Sequence, residues 1–220
     1  MGRQASVGLS ALVLGLGLSL VADAAPLPFQ RNDFETGTTL NWGDGGPANT
    51  VSNSASGGPL GADDNYLRVT SAGGGGAGSR MIVLNRGSQW TGNFAASGIP
   101  AVEMDLKNFG NAPLSMRIAL MSGTNNYVVS TTPTTLANDG QWHHMSFSLA
   151  PSALTANGAS AASILGSVTE FRILHSTGVD HRGDPIVGLL GLDNIAAVPE
   201  PAALALASAT TLLLMRRRTR

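Results

Sequence analysis

Short runs in which apolar and polar residues alternate with a period of two constrain this chain more than any other feature. Val102, Met104 and Leu106 alternate with Glu103, Asp105 and Lys107, and Leu114, Met116, Ile118 and Leu120 with Ser115, Arg117 and Ala119. Met145, Phe147 and Leu149 alternate with Ser146 and Ser148, Phe171 and Ile173 with Glu170 and Arg172, while Leu67 and Val69 flank Arg68. Successive side chains of a strand point to opposite faces, so each run buries one face and offers the other to solvent. Turn chemistry closes the runs off, at Asn108-Phe109-Gly110-Asn111, Gly123-Thr124-Asn125-Asn126 and Asn138-Asp139-Gly140. Met81, Ile82, Val83 and Leu84 are apolar on both faces and predict a central strand. Residues 160–168 have room for one or two helical turns at most. Half-apolar strands of this kind pack as two antiparallel sheets, which predicts an all-β fold, a β-sandwich of jelly-roll type.

Composition agrees. Only 12% of the 220 residues are charged, and 28 are Gly, a mix that suits short strands and turns better than long helices. There is no cysteine, which excludes disulfide staples, thiol catalysis and Cys-bound zinc, so the core must hold by burial alone. A net charge of −1 offers no basic field to nucleic acid.

The two ends account for the positive mean hydropathy. Residues 1–24 read as a signal peptide: Arg3 gives a positive start, an apolar run follows at 7–21, and Ala22-Asp23-Ala24 offers small residues where signal peptidase reads them. Cleavage is expected after Ala24, with an uncleaved membrane helix as the alternative. At the other end Val198-Pro199-Glu200-Pro201 precedes an apolar stretch at 202–215, and Arg216, Arg217, Arg218 and Arg220 follow it. As a helix that stretch would span roughly 21 Å at about 1.5 Å per residue, against a bilayer core of about 30 Å. The arginines would stay on the inner side and leave the body of the protein outside.

This order of Pro-Glu-Pro, short apolar helix and terminal arginines resembles the PEP-CTERM sorting signal, over residues 198–220. The resemblance implies a Gram-negative exported protein whose tail is recognised and cleaved by an exosortase-type membrane protease. Within that signal, which opens at Val198, Pro199, Glu200 and Pro201 would then be read by the protease, and Arg216 to Arg218 would retain the tail. A plain single-pass anchor is the alternative.

Between the ends lies a domain of residues 25–197, with 8 basic and 12 acidic side chains. It opens with Asn32-Asp33-Phe34-Glu35-Thr36-Gly37 and Asn41-Trp42, and closes with Gly191-Leu192-Asp193-Asn194-Ile195. That pair of segments resembles jelly rolls of the carbohydrate-binding-module and galactose-binding types, in which first and last strands lie side by side. The resemblance implies a structural Ca²⁺ held by Glu35 and Asp193 with carbonyls near Gly37, an ion that takes hard oxygen ligands.

The remaining chemical residues form no complete constellation. Glu103 and Asp105 resemble the catalytic strand of laminarinase-like glycosidases, but Lys107 and Asn108 stand where a further Glu belongs, and they read as a solvated strand face. His143 and His144 are neighbours on a strand and point to opposite faces. His175 and His181, with Asp180 and Asp184, could crowd one loop, without the rigid spacing zinc needs. The glycines at 73–76 lack the Lys-Ser/Thr of a phosphate loop and read as a flexible connection. Trp142 and Tyr127 are the aromatics placed to stack on a sugar ring, with plugging of the core as the alternative. The sequence therefore predicts a non-enzymatic protein of the cell surface or exopolysaccharide matrix that binds glycan. A purely structural matrix protein and a degenerate glycan-active enzyme are the alternatives.

Overall fold

A computed structural model describes residues 26–46 and 50–199. Two antiparallel sheets pack face to face. The first contains β1 (Arg31–Asn32), β3 (Val51–Ser54), β4 (Tyr66–Ala72), β6 (Ala101–Asn108), β10 (Trp142–Ser148) and β13 (Val187–Val198). Its order is β10-β6-β13-β4-β3, with β1 also on β13. The second contains β2 (Trp42–Gly43), β5 (Ile82–Asn85), β7 (Leu114–Ser122), β8 (Asn126–Ser130), β9 (Thr134–Leu136), β11 (Leu154–Asn157) and β12 (Glu170–His175). Its order is β11-β8-β7-β12-β5-β2, with β9 on β7. The opening and closing strands lie side by side as expected, Arg31 opposite Ala196 and Asn32 opposite Ile195.

The alternation sets the core. Val102, Met104 and Leu106 of β6 face Met116, Ile118 and Leu120 of β7 within one buried cluster, joined by Leu67, Val69, Phe147 and Ile173. At its centre Trp42, Trp90 and Phe171 meet, with ring centroids 5.3–6.1 Å apart. Both indole N–H groups donate to one atom, Asn32 Oδ1, at 2.8 and 2.7 Å. Asn32 is itself 2% exposed, and its Nδ2 donates to Gln89 Oε1 at 3.0 Å. A buried indole N–H needs an acceptor, and here one side chain serves two.

The structure departs from the expected pattern in two places. The strand at Met81 to Leu84 is not central: β5 lies between β12 and the two-residue β2, one strand from the sheet edge. The outer face of the second sheet is also not wholly solvated, although alternation put Arg117 and Glu170 there. Arg117 is 3% exposed and Glu170 5%. Loop 176–186 roofs that face over a small apolar cluster of Ile82, Ala119, Val129 and Leu174. Arg117 is satisfied beneath it by the carbonyls of Ser176 (3.0 Å), Ser130 (2.5 Å) and Thr131 (2.8 Å).

The expected short helix is present as α1 (Ala161–Leu165), capped by Ser160 Oγ, which accepts from the Ser163 N–H at 3.3 Å. The sandwich runs slightly past residue 197, since Val198 still pairs with Ala101 and Pro199 is buried. The signal peptide with Ala22 and Ala24, and the tail from Glu200 and Pro201 through Arg216, Arg217 and Arg218, lie outside the described residues. Among the described residues no helix is long and apolar enough to cross a membrane.

Candidate functional site

A concavity lies on the outer face of the second sheet, beside the roofing loop. Two adjoining hollows, of about 320 and 480 Å³, share Arg86, Arg172 and Arg182 in their walls. One extends over Ile82 and Leu84 to Arg80 and the glycine loop at 75–78. The other extends to Thr124, Asn125 and Thr169. Strand pairing assembles the middle. Phe171 pairs with Asn85 and Arg172 with Leu84, which brings Glu170 alongside Arg86. Glu170 then holds both guanidiniums, Arg86 Nε donating to its Oε2 at 2.5 Å and Arg172 Nε to its Oε1. Arg80 is held by the carbonyls of Gly75 (3.1 Å) and Gly183 (2.8 Å). Burial, and after it the positive Arg172, push the His181 imidazole below its usual pKa, so it is neutral at neutral pH. Its Nδ1 lies 3.2 Å from Asp180 Oδ1 but out of line for a hydrogen bond.

A second hollow, of about 450 Å³, lies at one end of the first sheet and is acidic: Asp33, Glu35, Asp63 and Asp64 line it, with Arg31 and Asn194. Asp193 sits next to it, fully buried. A register shift in β13 after Asp193 and a positive φ of 54° at Asn194 open the local structure. Asp193 Oδ1 accepts from the Asn194 N–H at 2.7 Å, and among the described residues Oδ2 has no hydrogen-bond partner. Burial, with the carboxylates of Asp64 and Asp105 adding repulsion, pushes the Asp193 pKa up to about 7. Glu35 is exposed, and its Oε1 accepts from the Asn65 N–H at 2.9 Å. The two residues expected to hold Ca²⁺ thus lie at the same end of the sandwich, and Asp64 joins them. An orphaned buried carboxylate oxygen beside other carboxylates is a donor set that fits a hard cation. Among the described residues no three His, Asp or Glu side chains already converge as a ready metal cage.

The two aromatics singled out for sugar stacking are on opposite faces of the molecule. Trp142, on the outer face of the first sheet, packs edge-on against Tyr66 (5.4 Å) and donates its indole N–H to Gly57 O at 3.0 Å. With Phe109 it lies over Gly191, where an added Cβ would meet the two rings at 2.9 and 3.1 Å. Tyr127 is on the second sheet, its ring covered by His181 at 4.1 Å. On the first sheet His144 lies between Asp105 (2.9 Å) and Glu103 (3.4 Å). The hydrogen bond to Asp105 raises its pKa. His143 pairs with Asp139 instead, so the adjacent histidines do diverge. His175 Nδ1 accepts from the Ser115 N–H at 2.8 Å and is tied into the sheet.

Sequence reasoning missed the arginines of the cleft. They come from the loop before β5, the residue after it, β12 and the roofing loop, so no local motif contains them. One signal was available: four of the 8 basic residues between 25 and 198 fall within 80–86 and 172–182.

No protein-family model matches the chain, and no curated protein matches it in sequence. Among solved structures it is similar to the family 11 carbohydrate-binding module of a cellulosomal cellulase of Clostridium thermocellum. The identity is 16%, over 79% of this chain and 95% of that one, with a TM-score of 0.48. An exo-β-agarase is similar at 12% identity, over 77% of this chain and 25% of that one, with a TM-score of 0.49. The family 30 module of another cellulosomal cellulase of Clostridium thermocellum gives 12% and 0.40, over 81% of this chain and 98% of that one. At such scores the function has to be argued from this chain's own residues.

Proposed function

We propose that this is an exported envelope or matrix protein whose sandwich binds glycan without cleaving it, and whose C-terminal tail serves exosortase-type sorting. The observation that carries the binding half is the open cleft on the second sheet. Its floor is apolar at Ile82 and Leu84, and its walls present guanidinium, amide and hydroxyl groups. Sugar recognition asks for this combination, an apolar surface for ring C–H groups and planar polar groups to fix hydroxyls. The cleft is favoured over the Trp142 patch because Trp142 spends its edge on Tyr66 and its N–H on Gly57. A non-catalytic role is supported by Glu103 and Asp105, which both lean on His144 rather than standing free as acid and nucleophile. A Ca²⁺ held by Asp193, Asp64 and Glu35 would tie loop 57–64 to the closing strand and serve structure.

Affinity electrophoresis of purified full-length protein in gels containing neutral or acidic polysaccharides tests the binding. Retardation by at least one polymer is expected, weakened in Thr124→Ala/Asn125→Ala and unchanged in Trp142→Ala. Migration equal to that of albumin in every gel removes the glycan reading.

The sorting half stands on the tail alone. Intact mass of the mature protein from its host should show loss of residues 1–24 and of the segment after Pro-Glu-Pro. Retention of the terminal arginines through export would overturn it.

A further inference from the structure

We infer that the cleft on the second sheet is built for an anionic glycan, a sugar chain bearing carboxylate or ester sulfate, which rests on the glycan reading above. The domain carries 8 basic against 12 acidic side chains between 25 and 198, yet Arg80, Arg86, Arg172 and Arg182 gather in one groove. Among the described residues two carboxylates line its two hollows, Asp44 and Glu170. Asp44 stays ionised and is bonded within its own loop, accepting from the N–H groups of Gly46 (2.8 Å) and Thr50 (3.1 Å) and from the Thr50 hydroxyl. Glu170 is shared between two guanidiniums. Arg80 is fixed by backbone carbonyls, which orient it without cancelling its charge. Among the described residues Arg182 contributes only its backbone N–H to a bond, with Asp180 at 3.1 Å.

Four guanidiniums against two carboxylates leave positive charge over in this groove, on a domain that is acidic elsewhere. Like charges gathered along one groove repel. A neutral sugar would leave that repulsion in place. An oxyanion would relieve it, and a guanidinium fork matches the geometry of carboxylate and sulfate. The arginines also span both hollows instead of closing around one point, which suits charges repeated along a chain better than a single small ion. The hydroxyl and amide groups of Thr124 and Asn125 at one end would meet the uncharged hydroxyls of the same chain.

Isothermal titration of the full-length protein with tetragalacturonate, its methyl ester, a sulfated tetrasaccharide and inorganic phosphate tests this. The acid or the sulfated sugar should bind, and the methyl ester should bind at least about tenfold more weakly. Arg182→Gln, whose side chain makes no bond among the described residues, should weaken binding by about tenfold, and Arg86→Gln by as much or more. Tighter binding of the sulfated sugar than of the acid assigns sulfate as the anion, and the reverse assigns carboxylate. Equal affinity for acid and ester, unchanged by Arg182→Gln, leaves glycan binding standing and overturns the anionic preference. Phosphate binding as tightly as either sugar overturns the polymeric ligand. No binding of any glycan here or in the polysaccharide gels removes the reading on which the inference rests.

Discussion

Asn32→Ala is expected to destabilise the protein by about 3–6 kcal/mol, a large part of the roughly 5–15 kcal/mol that holds an ordinary domain together. The substitution strips the acceptor from Trp42 Nε1 and Trp90 Nε1 at once, in a place where water cannot replace it. Each orphaned buried donor costs about 1–3 kcal/mol, and the lost amide also leaves a void in a close-packed core. In thermal unfolding the midpoint should fall by about 10 °C or more. A double-mutant cycle with Trp90→Phe separates the hydrogen bond from mere volume. Phe carries no N–H, so its cost should be at least about 1 kcal/mol smaller in the Asn32→Ala background than in the wild type. Strict additivity of the two changes would show that Asn32 is not the shared acceptor of both indoles.

Asn32 also shows how far the sequence could be read. Its segment was recognisable as the opening of a jelly roll, and the alternating runs placed Val102, Met104, Ile118 and Phe171 in the core, where they are found. Alternation reports only which side of its own strand a residue occupies, so it could not show that one amide reaches two tryptophans 10 and 58 positions away. The same limit explains the error at Arg117 and Glu170. Both lie on the face that alternation assigns to solvent, and loop 176–186, which carries no strand pattern of its own, covers Arg117. The cleft was invisible for a related reason. Its arginines are set side by side by the pairing of β5 with β12, a contact between segments more than 80 residues apart in the chain. Asp193, by contrast, was singled out from the closing segment, and the register shift beside it explains why an acidic residue sits inside a strand otherwise rich in Leu, Ile and Val.

Asp193 gives the other large effect, and its sign can be worked out. Its pKa is raised from 3.8 to about 7 in the folded protein. Between those values the folded state holds a proton that the unfolded state has released. The contribution is favourable below about pH 4 and is lost as pH rises through about 7, a total of ~4 kcal/mol at 1.36 kcal/mol per pH unit. With chelator present, wild type should therefore lose stability from pH 4 to pH 8 more steeply than Asp193→Asn. At pH 8 the variant should be the more stable by about 2–4 kcal/mol, roughly 5–10 °C in Tm. Calcium should narrow that gap. A cation beside Oδ2 takes the place of the proton, and 10 mM Ca²⁺ at an affinity typical of extracellular sites adds about 1.4–2.7 kcal/mol to wild type. Asp193→Asn, lacking the charge, should gain little. Two chelated proteins with the same melting temperature at pH 8 would mean that the buried carboxylate is not held against its charge. A calcium response of equal size in both would mean that the ion binds elsewhere.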